Sequence, residues 1–231
     1  MYGARRFLER QYLAFVDKTV DSHPSRALLG GKPAPEERIR AFLRVRFPAS
    51  SPYNAPRTSD DQNWALLYYL LRCGIADKVK AILQGSLQAT IDCFIGNTSP
   101  SSKLSEELAV EYKKLNDPFK AAVYKILGKC DLQKKTFDSE VMQATEDYLW
   151  MQLGLIRRDD SSDALAALQE NIRGFEKSFS GPNTNPFKFF QMLLLTAQFE
   201  TVRLFLSFFL SFYYYPTQDL SLVIRLRLLT T

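Results

Sequence analysis

Three thiols and one imidazole are the groups in this sequence best suited to metal or covalent chemistry. They are Cys73, Cys93, Cys130 and His23, in a chain of 231 residues. The cysteines are far apart and form no CxxC pair. A zinc site takes about four nitrogen and sulfur ligands, which this set does not supply at usable spacing. An odd number of scattered thiols reads as reduced cysteine of the cytosol or nucleus. His23 precedes Pro24 in a loop and is read as structural or solvated. A lone imidazole leaves a Ser/His/Asp arrangement unbuilt and a cysteine nucleophile without a base. "LLGGKP" (Leu28 to Pro33) gathers glycines and a lysine but lacks the GxxxxGK[ST] spacing that cradles phosphate after a strand. It reads as a helix stop. The adjacent carboxylates Asp60–Asp61 and Asp159–Asp160 border loops, where capping and solvation account for them. General acid–base work needs a pocket and a shifted pKa besides. The residues therefore compose no catalytic, cofactor-binding or metal site. Neither enzymatic activity nor a cofactor nor a small-molecule substrate is expected.

Charge is the next handle. The formal net charge is +5, and residues 1–48 carry all of it, with 10 Lys/Arg against 5 Asp/Glu. Residues 49–231 carry 20 of each. A basic N-terminal region is either a surface for acidic peptide or nucleic acid, or a solvated helix face. No nucleic-acid-binding motif accompanies it, so the second reading is preferred and nucleic acid is not an expected partner. The start "MYGARRFLERQ" is charged and has no apolar h-region of a signal peptide. "LFLSFFLSFYYY" (Leu204 to Tyr215) is 12 residues without a charge. A span needs about 20, so a buried or interfacial helix is expected there.

The elements that carry these residues are helical throughout. "NDPFKAAVYKILGKCD" (Asn116 to Asp131) shows the grammar. Asp117 caps the first free amides and Pro118 takes the first helical position. Phe119, Ala122, Val123, Ile126 and Leu127 form one stripe, with Lys120 and Lys125 flanking or opposing it. Gly128 weakens the helix, and Lys129 suits its negative end. Residues 4–20 set Phe7, Leu8, Tyr12, Phe15 and Val16 along one side. Residues 36–47 set Ile39, Phe42, Leu43 and Phe47 together. "NWALLYYLLRCG" (63–74) is apolar all round without a β-branched residue, which predicts a helix buried between layers. Further helices are expected near 75–84, 86–95, 103–115, 139–153 and 161–178, and one or two over 187–213. In 139–153, Trp150 lies opposite the main stripe, on the acidic side near Glu146 and Asp147, and is expected to pack against another layer. No hairpin signal appears. Short helices with short connectors and no strict period predict an all-α fold, an irregular α-solenoid of stacked antiparallel helices.

Five blocks, "ALLGGKP", "WALLYYLLRCG", "DPFKAAVYKILGKCD", "TEDYLWMQL" and "LLTAQFE", occur in an order and at distances that resemble the nucleoporin-interacting component (Nic) family. These are the large linker nucleoporins of the pore's inner ring. The resemblance covers roughly residues 4 to 200. It implies a structural scaffold of the nuclear pore complex at the nuclear envelope, supporting transport of protein and RNA. Implied partners are other inner-ring nucleoporins, with the nuclear membrane reached through partners. Family members are several times longer, so the chain reads as a piece of one. Residues 1–200 are expected to be the solenoid fragment and 201–231 a divergent apolar tail foreign to the family. That tail is too uniformly apolar to be a polar end cap and favours self-association. The alternatives are a helical adaptor that binds acidic peptide or nucleic acid through the basic N-terminal helices, and a protein that inserts 204–215 into a membrane surface.

Overall fold

The computed structural model describes residues 1–31, 34–54, 63–134, 138–179 and 185–214, with side chains through Ser207. Among the described residues there are helices and no strand, in line with the all-α expectation. Two compact units divide the chain, Met1–Asp160 and Ser161 onward. The first holds α1 (Tyr2–Ser22), α2 (Pro24–Ala27), α3 (Pro35–Arg46), α4 (Trp64–Arg72), α5 (Ala76–Ile82), α6 (Ser86–Gly96), α7 (Ser102–Tyr112), α8 (Pro118–Gly128) and α9 (Thr145–Leu155). The second holds α10 (Ser162–Gly174), α11 (Pro186–Leu195) and α12 (Phe199–Tyr214).

The first unit is organised around α4. Every residue from Ala65 to Arg72 is buried, and the helix packs on α1, α3, α5 and α8. Its start is fixed by the Asn63 side chain, which accepts a hydrogen bond from the Leu66 amide at 3.0 Å. Its end is fixed by Gly74 at φ +73°. A Cβ there would stand 2.9 Å from both Arg6 Nη1 and Glu9 Oε2, so the turn and the approach of α1 both require glycine. Aromatic rings carry the packing outward. Tyr69 stacks on Tyr12 of α1, meets Phe42 of α3 edge-on and touches Phe119 of α8. Tyr68 meets the edge of Trp150 of α9 at 5.9 Å. Trp150 is wholly buried, so it packs into a neighbouring layer as its position off the main stripe predicts.

Helix α8 has the predicted bounds and cap: Asp117 Oδ1 accepts the Lys120 amide at 2.9 Å. Its predicted stripe is buried, and so are Tyr124, Lys125 and Gly128, because α4, α6, α7 and α9 surround it. Lys125 is thus no flanking residue. Its ammonium turns inward and donates to the carbonyls of Asp131 and Lys134, which satisfies the charge under cover. Gly128 does more than weaken the helix. A Cβ would lie 2.9 Å from Leu108 Cδ1, so glycine lets α7 cross α8 at close range.

The face of α1 differs from its prediction. Leu8, Val16 and Val20 are buried as expected of apolar residues, but Arg5 and Glu9 are buried beside them. Phe7 and Phe15 are 43% and 50% exposed. The inner face of α1 meets carbonyls and an indole N–H, which select charged partners over phenyl rings. Two bounds also move. The helix expected from residue 139 begins at Thr145, because Asp147 Oδ2 accepts the amides of Gln143 and Ala144 and closes the helix there. The helix expected over 161–178 stops at Gly174, and a 3₁₀ turn, Glu176–Phe179, follows.

In the second unit, the stretch 187–213 is two helices. The break falls at Thr196, whose hydroxyl bonds back to the Met192 carbonyl at 2.7 Å, and at Ala197, with φ +58°. Gln169 of α10 holds this break by donating to the Thr196 carbonyl at 2.9 Å. Phe189 of α11 packs edge-on to Phe205 of α12, while Phe187, Phe199 and Leu204 are exposed. Most of the apolar tail lies outside the described residues.

Leu67 sits at the centre of α4 with no exposed surface. Leu67→Ala is expected to cost about 2–5 kcal/mol. Urea unfolding followed by circular dichroism measures it, and a loss below about 0.5 kcal/mol, typical of surface sites, would contradict the layered position of α4.

Candidate functional site

The polar groups that the fold brings together form a buried network linking α1, α4, α6, α8 and α9. Arg72 closes an otherwise apolar helix and is buried on every side. Its Nε donates to Asp147 Oδ1 at 3.0 Å and its Nη1 to the Leu8 carbonyl at 2.9 Å. Its guanidinium lies 4.3 Å from the ring centre of Tyr12 and 5.2 Å from that of Trp150. Glu9 accepts from Arg6 Nη1 at 2.9 Å and from Trp150 Nε1 at 3.4 Å, and pairs with Arg5 one turn away. Arg5 and Arg157 lie against the same ring, that of Phe94, at 4.1 and 5.0 Å. Burial lowers the pKa of both. For Arg157, to which the neighbouring Arg5 charge contributes, it falls to about 10, and for Arg5 the Glu9 carboxylate opposes the fall.

A common geometry runs through these cations. Arg5 Nη2 donates to the Phe94 carbonyl in the last turn of α6 at 3.2 Å. Arg157 Nη2 donates to the Ile126 carbonyl in the last turn of α8 at 2.7 Å. Arg44 Nε takes the carbonyl of Ala27, the last residue of α2, at 2.8 Å, and Arg6 Nη1 takes that of Gly74, just past α4, at 3.2 Å. Carbonyls in the last turn of a helix have no partner within it and carry the negative end of the dipole, so cations are favoured there. The arrangement joins helices and moves no proton.

The N-terminal basic residues are largely engaged in this way or in ion pairs. Arg38 pairs with Asp17 and Asp21 of α1, and Arg40 with Glu36 and Glu37 of its own helix. Arg46 lies 5.3 Å from the ring centre of Tyr69. With Arg5, Arg6 and Arg44, six of the ten basic side chains in residues 1–48 serve the fold. This leaves the adaptor for nucleic acid or acidic peptide without support.

The thiols and the imidazole are not brought together. Cys73 and Cys130 are buried, and burial pushes their thiols up to about 12 and about 11. Cys93 is half-buried, with its sulfur 3.9 Å from the Ala89 carbonyl. His23 is exposed at the α1–α2 junction, with Nδ1 2.9 Å from the Thr19 carbonyl. Among the described residues no cluster of three His, Cys, Asp or Glu could hold a metal ion. In "LLGGKP", Leu28 and Gly31 take left-handed backbone conformations suited to a stop, and Lys32 and Pro33 lie outside the described residues. So do Asp60 and Asp61. Asp159 and Asp160 are anchored. The Ser99 amide holds the Asp159 carboxyl below the usual range. Burial works against the Asp160 charge, but the Arg157 amide and the Lys129 ammonium bring its pKa below the ordinary value. Lys129 therefore serves Asp160 rather than the end of its own helix.

The buried charges of this stack of short helices are committed to holding neighbouring helices, as in a helical scaffold fold. The chain matches the Nup93/Nic96 family over residues 1–208 and belongs to it. It is similar to the nuclear pore complex protein Nup93 of Xenopus tropicalis, with 33% identity over 224 residues, 88% of this chain and 27% of that protein. It is similar to the meiotically up-regulated gene 87 protein of Schizosaccharomyces pombe, with 29% identity over 93% of this chain and 28% of the relative. The chain thus spans little more than a quarter of the length of these curated relatives. The crystal structure of Chaetomium thermophilum Nic96 SOL superposes with a TM-score of 0.73 at 24% identity, over 93% of this chain and 35% of that one. That likeness bears on the fold, and the expected solenoid-type helical class holds.

Arg72→Met and Asp147→Asn should each cost about 3–5 kcal/mol, because each leaves its buried partner uncompensated. The double variant should lose clearly less than the sum, as urea unfolding of the four chains will measure. A second expectation concerns pH. A thiol ionises near 8.5 in the unfolded chain but near 12 at Cys73 in the folded one. Its contribution is complete below the lower value and is lost as pH rises toward the upper one. The urea midpoint should fall between pH 7.5 and 9.5, and by less in Cys73→Ala.

Proposed function

We propose that this chain is a structural scaffold segment of the nuclear pore complex inner ring, located at the nuclear envelope and supporting nucleocytoplasmic transport of protein and RNA. The observation that carries this reading is membership of the Nup93/Nic96 family over residues 1–208. The buried network supports it, because its charged side chains fix helix against helix. Residues 1–200 are the scaffold proper in this reading, and 201–231 are a divergent apolar tail. Partners are other inner-ring nucleoporins, met through helix faces rather than through a ligand pocket. The membrane is reached through those partners, and no helix among the described residues is long and apolar enough to cross one.

A tagged full-length product of this gene, expressed in its own cells, should give a punctate nuclear rim by fluorescence microscopy. A diffuse cytosolic signal in cells with intact pores would overturn the assignment.

A further inference from the structure

The connection between α6 and α7 is fastened to the end of the first unit by one serine. Ser99 lies in "GNTSPSS", immediately before Pro100. Its amide donates to both Asp159 oxygens, at 2.9 and 3.0 Å. Its hydroxyl oxygen lies 3.1 Å from Asp159 Oδ1 and 3.1 Å from Asp160 Oδ1, so one proton serves two carboxylates. Lys129 Nζ donates to the same hydroxyl at 3.1 Å and to Asp160 at 2.5 Å. The Arg158 amide adds a bond to the Asn97 carbonyl at 2.9 Å. The clasp holds a helix anchored to α8 mainly through Leu108 against Gly128 and through Glu111, which accepts the Tyr124 hydroxyl at 2.8 Å. Leu108 is the one buried residue of α7, Val110 is 56% exposed, and Ser101 to Lys103 at its start are exposed. A segment with so little burial opens at low cost. Opening frees Ser99 and the otherwise buried Pro100 as an extended Ser-Pro strand.

We propose that Ser99 is a phosphorylation site for a proline-directed protein kinase, and that its phosphate releases the α6–α7 connection and α7 from the first unit. In the transfer, Ser99 Oγ forms a bond to the γ-phosphorus of ATP. The bond from that phosphorus to the β-phosphate oxygen breaks, ADP leaves, and the hydroxyl proton passes to the kinase's base. The product carries about −1.5 to −2 charges where a neutral hydroxyl stood. Two carboxylates face it at contact distance and one ammonium, Lys129, answers them. The hydroxyl proton that the carboxylates shared is gone as well. Like-charge repulsion then keeps the connection from reclosing, and the α8 surface around Gly128 beneath Leu108 is uncovered. The inference is independent of the pore assignment, since it concerns this fold wherever the chain resides.

The chain carries an internal comparison. Ser51 also precedes a proline, but among the described residues its hydroxyl accepts the Tyr53 amide and bonds to no carboxylate. The purified 1–231 chain is treated with ATP and a proline-directed kinase, the sites are mapped by mass spectrometry, and amide hydrogen exchange is followed. Phosphate on Ser99 should speed exchange of the 98–112 amides at least ten-fold. The Asp159→Asn, Asp160→Asn double variant, phosphorylated likewise, should recover much of the protection. Phosphate on Ser51 alone should leave these amides unchanged. No phosphate on Ser99, or phosphorylated Ser99 with unchanged exchange in 98–112, overturns the proposal.

Discussion

The first unit depends on a full positive charge kept where water cannot reach it. Arg72 belongs to α4, the helix on which α1, α3, α5 and α8 pack, and removing its guanidinium from water is costly. Four partners offset that cost: a carboxylate, a backbone carbonyl and two aromatic faces. Two come from α1 and two from α9, at opposite ends of the first unit's sequence. The charge is comfortable in one arrangement of those helices, and a slip of either one strands it. Apolar contacts alone tolerate such slips, because they have no direction. The ion pair therefore contributes a unique arrangement more surely than it contributes net stability.

The same logic extends to four more arginines, of which Arg5 and Arg157 are buried and Arg6 and Arg44 half-buried. Arg5, Arg6, Arg44 and Arg157 each reach a carbonyl at or just past the C-terminal end of another helix. Short helices have proportionally many such ends, and an unpaired carbonyl in a packed interior is unfavourable. A stack of short helices thus creates a demand for cations inside. The basic excess of residues 1–48, which composition alone presents as a surface for acidic partners, is in good part the answer to that demand.

Much of this was legible in the sequence. The α4 run and the α8 stripe were readable because apolar residues repeat at helical spacing and the caps are written in Asn63, Asp117 and Pro118. The buried charges were not, because a lysine or arginine at the edge of an apolar stripe looks the same whether it faces solvent or a carbonyl of a distant helix. Lys125 was misplaced for that reason. A partial signal did exist. Arg5 and Glu9 stand one turn apart in line with Leu8 and Val16, and Arg72 interrupts a run with no other polar charge. The face of α1 was misread because its partners are backbone groups from residues 74 and 94, which no local pattern announces. The network itself is an assembly of long-range contacts, so it appears only once the helices are in place.

That these cations grip backbone rather than side chains bears on how such a fold drifts over time. A carbonyl is present whichever amino acid carries it. Ala27 and Ile126 can be exchanged for other residues of suitable size while Arg44 and Arg157 keep their hold. Constraint then falls on the gripping residue and lifts from the gripped one, which halves the number of positions that must change in concert. A lineage built on such one-sided joints can replace most of its letters and retain its helix stacking.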